Sequence, residues 1–313
     1  MEYYYRHYKA SGYPNYELSS YNPQRELEKV RNTESVIEGG IAKQTMTGCG
    51  YLWSYFPHWV DVKTWNSESV ADNWGDDEKL HKLIEKTVAW CIKHENGRMS
   101  ENRVRQLAKV YLAKQAPSNF RPTVAKSLYD KYGNHGSVYD PCAGWGGRMF
   151  GFLASDCAEY VCCEPSTKTV DGLLALADTF SDIPKHIDIH PVCQEDYTPQ
   201  AEHFDFVFTS PPYYDCEKYS DEPTQSYIRY PTISKWSTGF LEPLIFNAWV
   251  ALKHGGYFIL NIANTKTAPN LEALSEIYAQ MMGFRLAETL KLTLSSISGN
   301  GTKYEPMFVF RKP

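Results

Sequence analysis

After Pro122 the chain alternates between short β-rich runs and longer stretches in which apolar residues recur at helical spacing. The strand-like runs are Ser137–Tyr139, Tyr160–Cys163, His186–Val192, Phe204–Thr209, Tyr257–Ile262, Leu286–Ser295 and Pro306–Phe310. Arg148–Ala154, Thr167–Phe180 and Gly239–Leu252 read as helices between the earlier strands, and Leu271–Met282 as a helix before the sixth. This alternation predicts an α/β domain with a doubly wound, mainly parallel sheet covered on both faces. Only Ser296–Glu305 separates the last two strands, with Gly299, Asn300 and Gly301 inside it, so the sheet should end in an antiparallel hairpin. Lys253-His254-Gly255-Gly256 reads as a helix end and turn before the fifth strand.

The first part of the chain follows another pattern. Leu80, Leu83, Ile84, Val88 and Cys91 fall at helical spacing, as do Val104, Leu107, Ala108 and Tyr111 between Ser100 and Lys114, which predicts two helices. The first 75 residues are rich in Tyr, Trp, Gly and Asn, with turn signals at Tyr13-Pro14-Asn15 and Asn22-Pro23 and no sustained period. Residues 1–116 are therefore expected to form a mainly helical, aromatic-rich extension, and residues 117–313 the α/β domain.

With 313 residues, 42% hydrophobic and 22% charged, the chain can bury a sizeable core, which excludes a fully disordered protein. The longer apolar runs, such as Ala248–Leu252, are far short of the roughly 20 residues a membrane-spanning helix needs. The start Met1-Glu2-Tyr3-Tyr4-Tyr5-Arg6 lacks a basic and apolar leader, so a cytoplasmic setting is expected. The eight cysteines show no zinc or disulfide spacing, His58, His81 and His94 have no metal-ligand partners at fixed spacing, and no metal is expected. A net charge of -5 does not by itself suggest a nucleic-acid binder, but its distribution is uneven. Residues 98–131 hold Arg98, Arg103, Arg105, Lys109, Lys114, Arg121, Lys126 and Lys131 against only Glu101 and Asp130. Arg98, Arg103, Arg105 and Lys109 are the candidate contacts to a phosphate backbone.

Chemistry concentrates at the predicted strand ends. Asp140-Pro141-Cys142-Ala143-Gly144-Trp145-Gly146-Gly147-Arg148 leaves a strand and enters a helix; its glycines allow positive φ and close backbone approach, and the helix N-terminus offers free N–H groups. The next strand ends at Glu164, where a doubly wound fold places the partner of ribose hydroxyls. The third runs into Gln194-Glu195-Asp196, and Asp196 could accept from an adenine amino group. An adenosine-containing cofactor fits this set. The fourth strand delivers Thr209-Ser210-Pro211-Pro212-Tyr213-Tyr214. Two prolines remove two N–H groups, so their carbonyls and the Ser210 side chain make an acceptor-rich rim that would bind a donor such as the exocyclic amine of a nucleobase, with Tyr213 stacking on its ring. The stretch from Tyr214 to Glu222 could be a mobile lid over the substrate.

The Asp-Pro-Cys-Ala-Gly-Trp-Gly-Gly segment resembles motif I, and Ser210-Pro211-Pro212-Tyr213 resembles motif IV, of the S-adenosylmethionine-dependent amino methyltransferases that act on DNA adenine N6 or cytosine N4. Asn119-Phe120-Arg121-Pro122-Thr123-Val124 looks like motif X of that family, which closes over the methionine part of the cofactor. Cys142 and Trp145 depart from the commoner residues of motif I. The resemblance, over about residues 117–313, implies a seven-stranded, Rossmann-like methyltransferase sheet with S-adenosyl-L-methionine as cofactor. It implies that Phe120, Thr123, Asp140, Cys142, Ala143, Gly144, Gly146, Glu164 and Asp196 bind the cofactor, and that Ser210, Pro211, Pro212 and Tyr213 form the catalytic rim. Pro141-Cys142 is similar to the Pro-Cys nucleophile of cytosine C5 methyltransferases, but a position in the cofactor loop is incompatible with attack on a base.

The 62 residues between Gly147 and Ser210 are filled by strands and helices, as is the chain after motif IV, so recognition should fall to residues 1–116. The reading is a DNA-binding enzyme of DNA modification that flips its target base out of a duplex. RNA as substrate, or an inactive subunit that only binds, are the alternatives.

Overall fold

The computed structural model describes residues 1–64, 67–113, 116–294 and 303–313. The first stretch holds α1 (Glu2–Ser11), α2 (Pro23–Arg31), the short strands β1 (Ile37–Glu38) and β2 (Ile41–Ala42), α3 (Cys49–Trp53) and β3 (Lys63–Thr64). Then come α4 (Val70–Gly75), α5 (Asp77–His94), α6 (Glu101–Tyr111) and α7 (Pro122–Tyr132). The alternating part runs β4 (Ser137–Asp140), α8 (Gly147–Ala154), β5 (Glu159–Cys163), α9 (Thr167–Thr179), β6 (His186–His190) and β7 (Phe204–Thr209). It continues through β8 (Glu217–Lys218), α10 (Ser226–Arg229), α11 (Ile233–Trp236), α12 (Glu242–Ala251), β9 (Leu252–Asn261), α13 (Leu271–Met282), β10 (Arg285–Leu294) and β11 (Lys303–Arg311).

The seven predicted strands form one sheet in the order β6-β5-β4-β7-β9-β11-β10. The pairs among β6, β5, β4, β7 and β9 are parallel, and β11 runs antiparallel to both β9 and β10. This is the doubly wound, Rossmann-like α/β fold with an antiparallel end. The expected hairpin turn itself, with Gly299, Asn300 and Gly301, lies outside the described residues. Both faces are covered because each strand alternates. Tyr139, Val161, Cys163 and Val207 turn to the face packed by Leu244, Ile245 and Ala248 of α12 and Leu271 and Ala279 of α13. On the other face Tyr129 of α7 meets Phe206 and Phe208, and Phe152 of α8 meets Tyr160.

Two elements differ from expectation. Lys253–Gly256 belong to β9 and not to a turn before it: the β7 register jumps from Phe204↔Leu252 to Phe206↔Tyr257, and Gly255 at φ 83° lets the extra residues bulge from the pair. The sheet also gains β1 and β2, with β2 parallel to β10 through Lys291↔Ile41 and Leu292↔Ala42.

The chain divides into two compact units: Met1–Glu17, Pro57–Ser118 and Asp215–Asp221 form one, and Leu18–Phe56, Asn119–Tyr214 and Glu222–Pro313 the other. A line at 116/117 divides the sequence but not the space, since residues 18–56, with β2 and α2, pack into the sheet unit. Helix α2 starts from Asn22, whose side chain accepts from Arg25 N, with Pro23 in the first turn; it buries Leu27 and Val30.

The smaller unit is organised by aromatics around helices. Tyr13 meets Trp59 and Trp74 edge-on, Tyr8 meets Trp74, and Leu80, Leu83, Ile84 and Cys91 of α5 are buried with Val104, Leu107 and Ala108 of α6. The segment after Tyr214, expected as a mobile lid, is in part held here: Glu217 and Lys218 of β8 pair antiparallel with Thr64 and Lys63 of β3.

Candidate functional site

In this sheet the chain reverses its direction of winding between β4 and β7, which are neighbours through Val138↔Phe206 and Tyr139↔Val207. Ligands of open α/β sheets bind outside the carboxyl ends of the strands at such a switch point. The loop Asp140–Gly146 and the segment Ser210–Tyr213 leave those two strands at that edge.

The glycine loop is held from beneath by a buried ion pair. Asp140 is fully buried; its Oδ2 accepts from Arg148 Nε at 2.7 Å and from Tyr160 Oη at 2.6 Å, and its Oδ1 from Cys142 N at 3.3 Å. Arg148, 3% exposed, also donates to the Cys142 carbonyl, and its guanidinium lies 5.7 Å from the Phe120 ring and 5.8 Å from that of Phe208. With both oxygens engaged inside the chain, Asp140 shapes the loop from within and keeps one acceptor position at most for the cofactor contact expected of it. Above it Gly144 and Gly146 sit at φ 57° and 68°, so the turn carries no side chain at either point. Ala143 is buried and donates its N–H to the Cys163 carbonyl at 2.9 Å. Gly147 is required for packing: a Cβ there would lie 2.0 Å from the Phe120 carbonyl oxygen. Asn119 reinforces that approach by donating from Nδ2 to the Trp145 carbonyl at 2.5 Å. The motif X segment thus lies against motif I, with Phe120 partly exposed, while Thr123 is buried and hydrogen-bonded to Thr45 Oγ1 at 2.8 Å.

Glu164 behaves differently from Asp140. Glu164 is 9% exposed, and its carboxylate accepts from Gly144 N at 3.1 Å and Ser166 N at 2.9 Å. Burial pushes it up to about 7 against the pull of those two backbone donors, with Asp140 adding and Arg148 opposing. A carboxylate offers about four acceptor positions, so two N–H groups leave capacity for two hydroxyl donors, which is the requirement of a ribose diol. The residues therefore fit the ribose of an adenosine-containing cofactor at Glu164. Asp196 fits less well, because Arg229 holds both its oxygens at 2.7 and 3.1 Å and also reaches Glu195 at 2.8 Å. Burial raises the Cys142 thiol well above its ordinary range, reinforced by Asp140 and Glu164, and this disfavours the thiolate a Pro-Cys nucleophile needs.

Ser210, at the end of β7, donates from Oγ to Asn261 Oδ1 at 3.2 Å, and Asn261, at the end of β9, donates from Nδ2 to the Pro306 carbonyl at 3.0 Å. Tyr213 packs against the core and donates from Oη to Glu305 Oε2 at 3.4 Å. Burial raises Glu305, opposed by hydrogen bonds from Tyr213 and Asn261. Tyr214 takes φ 61°, costly for a non-glycine residue, and its Oη donates to the Pro231 carbonyl at 3.0 Å. Asn261 and Glu305 complete a polar cluster around Ser210 and Tyr213, and the sequence reading missed both.

Three of the four basic candidates of the smaller unit lie against aromatic rings. Arg103 stacks 3.5 Å above the Trp90 ring and pairs with Glu95 at 2.6 Å. Arg105 lies 4.3 Å from the Tyr16 ring, pairs with Glu101 at 3.2 Å and donates to the Pro14 carbonyl at 3.2 Å. Lys109 lies 4.4 Å from the Trp59 ring, whereas Arg98 is exposed. Among the described residues no His, Cys, Asp and Glu cluster could hold a metal, all eight cysteines are free, and no helix is long and apolar enough to cross a membrane.

No family model and no curated protein matches the chain. Among solved structures it is similar to geranyl diphosphate C-methyltransferase from Streptomyces coelicolor A3(2), with 12% identity over 67% of this chain and 80% of that one, at a TM-score of 0.43. It is also similar to a SAM dependent methyltransferase from Aquifex aeolicus, with 10% identity over 62% of this chain and 100% of that one, at 0.39. The [4+2]-cyclase SpnF is similar at 10% identity over 61% of this chain and 81% of that one, at 0.45.

Proposed function

We propose that the protein is an S-adenosylmethionine-dependent methyltransferase acting on the exocyclic amino group of a base in DNA, adenine N6 or cytosine N4. The observation that carries this reading is the acceptor rim: Ser210, its hydroxyl proton committed to Asn261, stands before two prolines at the switch point of the sheet. S-adenosylmethionine supplies an electrophilic methyl group when bound. Glu164 would hold its ribose hydroxyls, Gly144 and Gly146 would let the backbone approach it, and Phe120 would cover it from motif X. Ser210 Oγ and the Pro211 carbonyl would accept the two protons of the target amine and aim its nitrogen, while Tyr213 would stack on the ring. Positioning would supply most of the rate, since no residue of this chain need form a covalent bond. A duplex target would leave its stack to reach the rim.

The test is transfer of a radiolabelled methyl group to DNA, RNA and protein, followed by mass spectrometry of the digested product. N6-methyladenine or N4-methylcytosine in DNA is the expected result. Label confined to RNA would move the substrate class, and binding of the cofactor with no transfer to any of the three would make the chain a binding subunit.

A further inference from the structure

The hydrogen bonds of Asn261 to Ser210 and Pro306 determine which way a proton points. Asn261 is 2% exposed, and Thr209↔Leu260 and Asn261↔Met307 set it between the end of β7 and the middle of β11. The Pro306 carbonyl, 3.0 Å from Nδ2, can only accept; the flipped amide would set two carbonyl oxygens against each other. The Asn261 oxygen is thereby turned to Ser210 at 3.2 Å, and since that oxygen can only accept, the Ser210 hydroxyl must donate. A hydroxyl has one proton and two lone pairs, so what remains of Ser210 toward an incoming ligand is acceptor alone. Pro211 and Pro212 have no N–H to counter it.

We infer that Asn261 is the positioning residue that locks Ser210 as a pure hydrogen-bond acceptor and so restricts the site to bases bearing a primary amine. This rests on the amino-methyltransferase reading of Ser210. Thymine and uracil present a carbonyl oxygen where cytosine presents its amine, and that oxygen would face the lone pairs of the rim. A once-methylated amine retains one proton and satisfies only one of the two acceptors, which disfavours a second transfer.

Single-turnover methyl transfer to a DNA that the parent protein methylates, with saturating S-adenosylmethionine, tests the inference. Asn261→Leu, similar in volume but without polar atoms, should slow transfer about ten- to a hundredfold and leave cofactor affinity unchanged. In a Ser210→Ala background Asn261→Leu should cost nothing further, because its effect passes through Ser210. An equal loss in both backgrounds would overturn the inference. Full activity of Ser210→Ala would instead remove the reading of Ser210 itself. Independently of turnover, a neutron structure of the parent protein should place the Ser210 deuteron on the line to Asn261 Oδ1; a deuteron directed elsewhere, or a flipped Asn261 amide, refutes it.

Discussion

If Glu164 holds the ribose as proposed, its carboxyl should make the protein's stability and its cofactor affinity depend on pH in opposite senses. Burial holds it at about 7 where an ordinary Glu titrates at 4.5. Below pH 4.5 the group is protonated in the folded and unfolded states alike and contributes nothing. As pH rises toward 7 the unfolded chain ionises first, so it binds fewer protons than the fold and stability falls. The loss levels off above pH 7 at about 3 kcal/mol, from a gap of roughly two and a half units at 1.36 kcal/mol each. Glu164→Gln cannot ionise. Its unfolding free energy, measured by urea titration, should gain on that of the parent by about 2–3 kcal/mol between pH 5 and pH 8, other titrations cancelling in the difference. A ribose diol donates to the charged form, so cofactor binding should release a proton. At pH 6 only about a tenth of the ligand-free protein carries the carboxylate, against about nine tenths at pH 8, and affinity should fall about tenfold between them. Calorimetric titration in buffers of different ionisation enthalpy reads both effects, with Glu164→Gln as the reference that removes the ligand's own titration. A stability difference flat from pH 5 to pH 8 would refute the argument, and an affinity equally dependent on pH in both proteins would place the ribose elsewhere.

Three further outcomes follow from the geometry. Tyr213→Ala should lower methyl transfer by one to two powers of ten, the worth of about 1–3 kcal/mol of stacking, and leave calorimetric cofactor affinity near that of the parent. Arg148→Met strands the Asp140 carboxylate without its cation and should cost about 3–5 kcal/mol in a denaturation titration; a loss under about 1 kcal/mol would mean that Tyr160 and Cys142 N suffice. Arg103→Ala and Arg105→Ala should each destabilise the protein, by about 1–2 kcal/mol through the lost stacking, and leave the salt dependence of DNA binding unchanged; a shallower slope would return both to the phosphate interface.

The regular part of the fold was legible because strands and helices keep their periods there: Phe204–Thr209 and Leu271–Met282 lie where the pattern set them. In the first 75 residues short helices carry tyrosines on several faces, so α1 shows no stripe; only the caps betray such elements. Ser69 and Asp72 form a capping box at the start of α4, and Asn22-Pro23, read as a turn, is the cap of α2. Counting cations located charge but not its use, since a guanidinium stacked on Trp90 and one facing solvent look alike in a sequence. Asn261 did carry a signal. It is a polar residue directly after the apolar run of a strand parallel to β7, and the carboxyl ends of adjacent parallel strands share one edge. Glu305 carried none, because its place beside Tyr213 depends on β11 running antiparallel between β9 and β10.

The two acids at the first strand ends show what decides between structure and ligand at such positions. Asp140 and Glu164 are equivalent in pattern, each closing a parallel strand next to the glycine loop. Their difference lies in what faces them. Arg148, on the first turn of α8, reaches back to Asp140 and with Tyr160 and Cys142 N takes about three of its four acceptor positions, so its charge is balanced with no ligand present. Glu164 faces two backbone N–H groups and no cation at bonding distance among the described residues, and burial raises it to about 7. A carboxylate in that condition gains from further donors, whereas one already ion-paired would have to break a bond to accept them. Open acceptor positions therefore lie at Glu164, the ribose partner of the proposed reading, and Asp140 fixes the loop whose Gly144 N–H points at Glu164. Arg148 in place of an apolar residue eight positions after Asp140 is the mark in the sequence that separates the two.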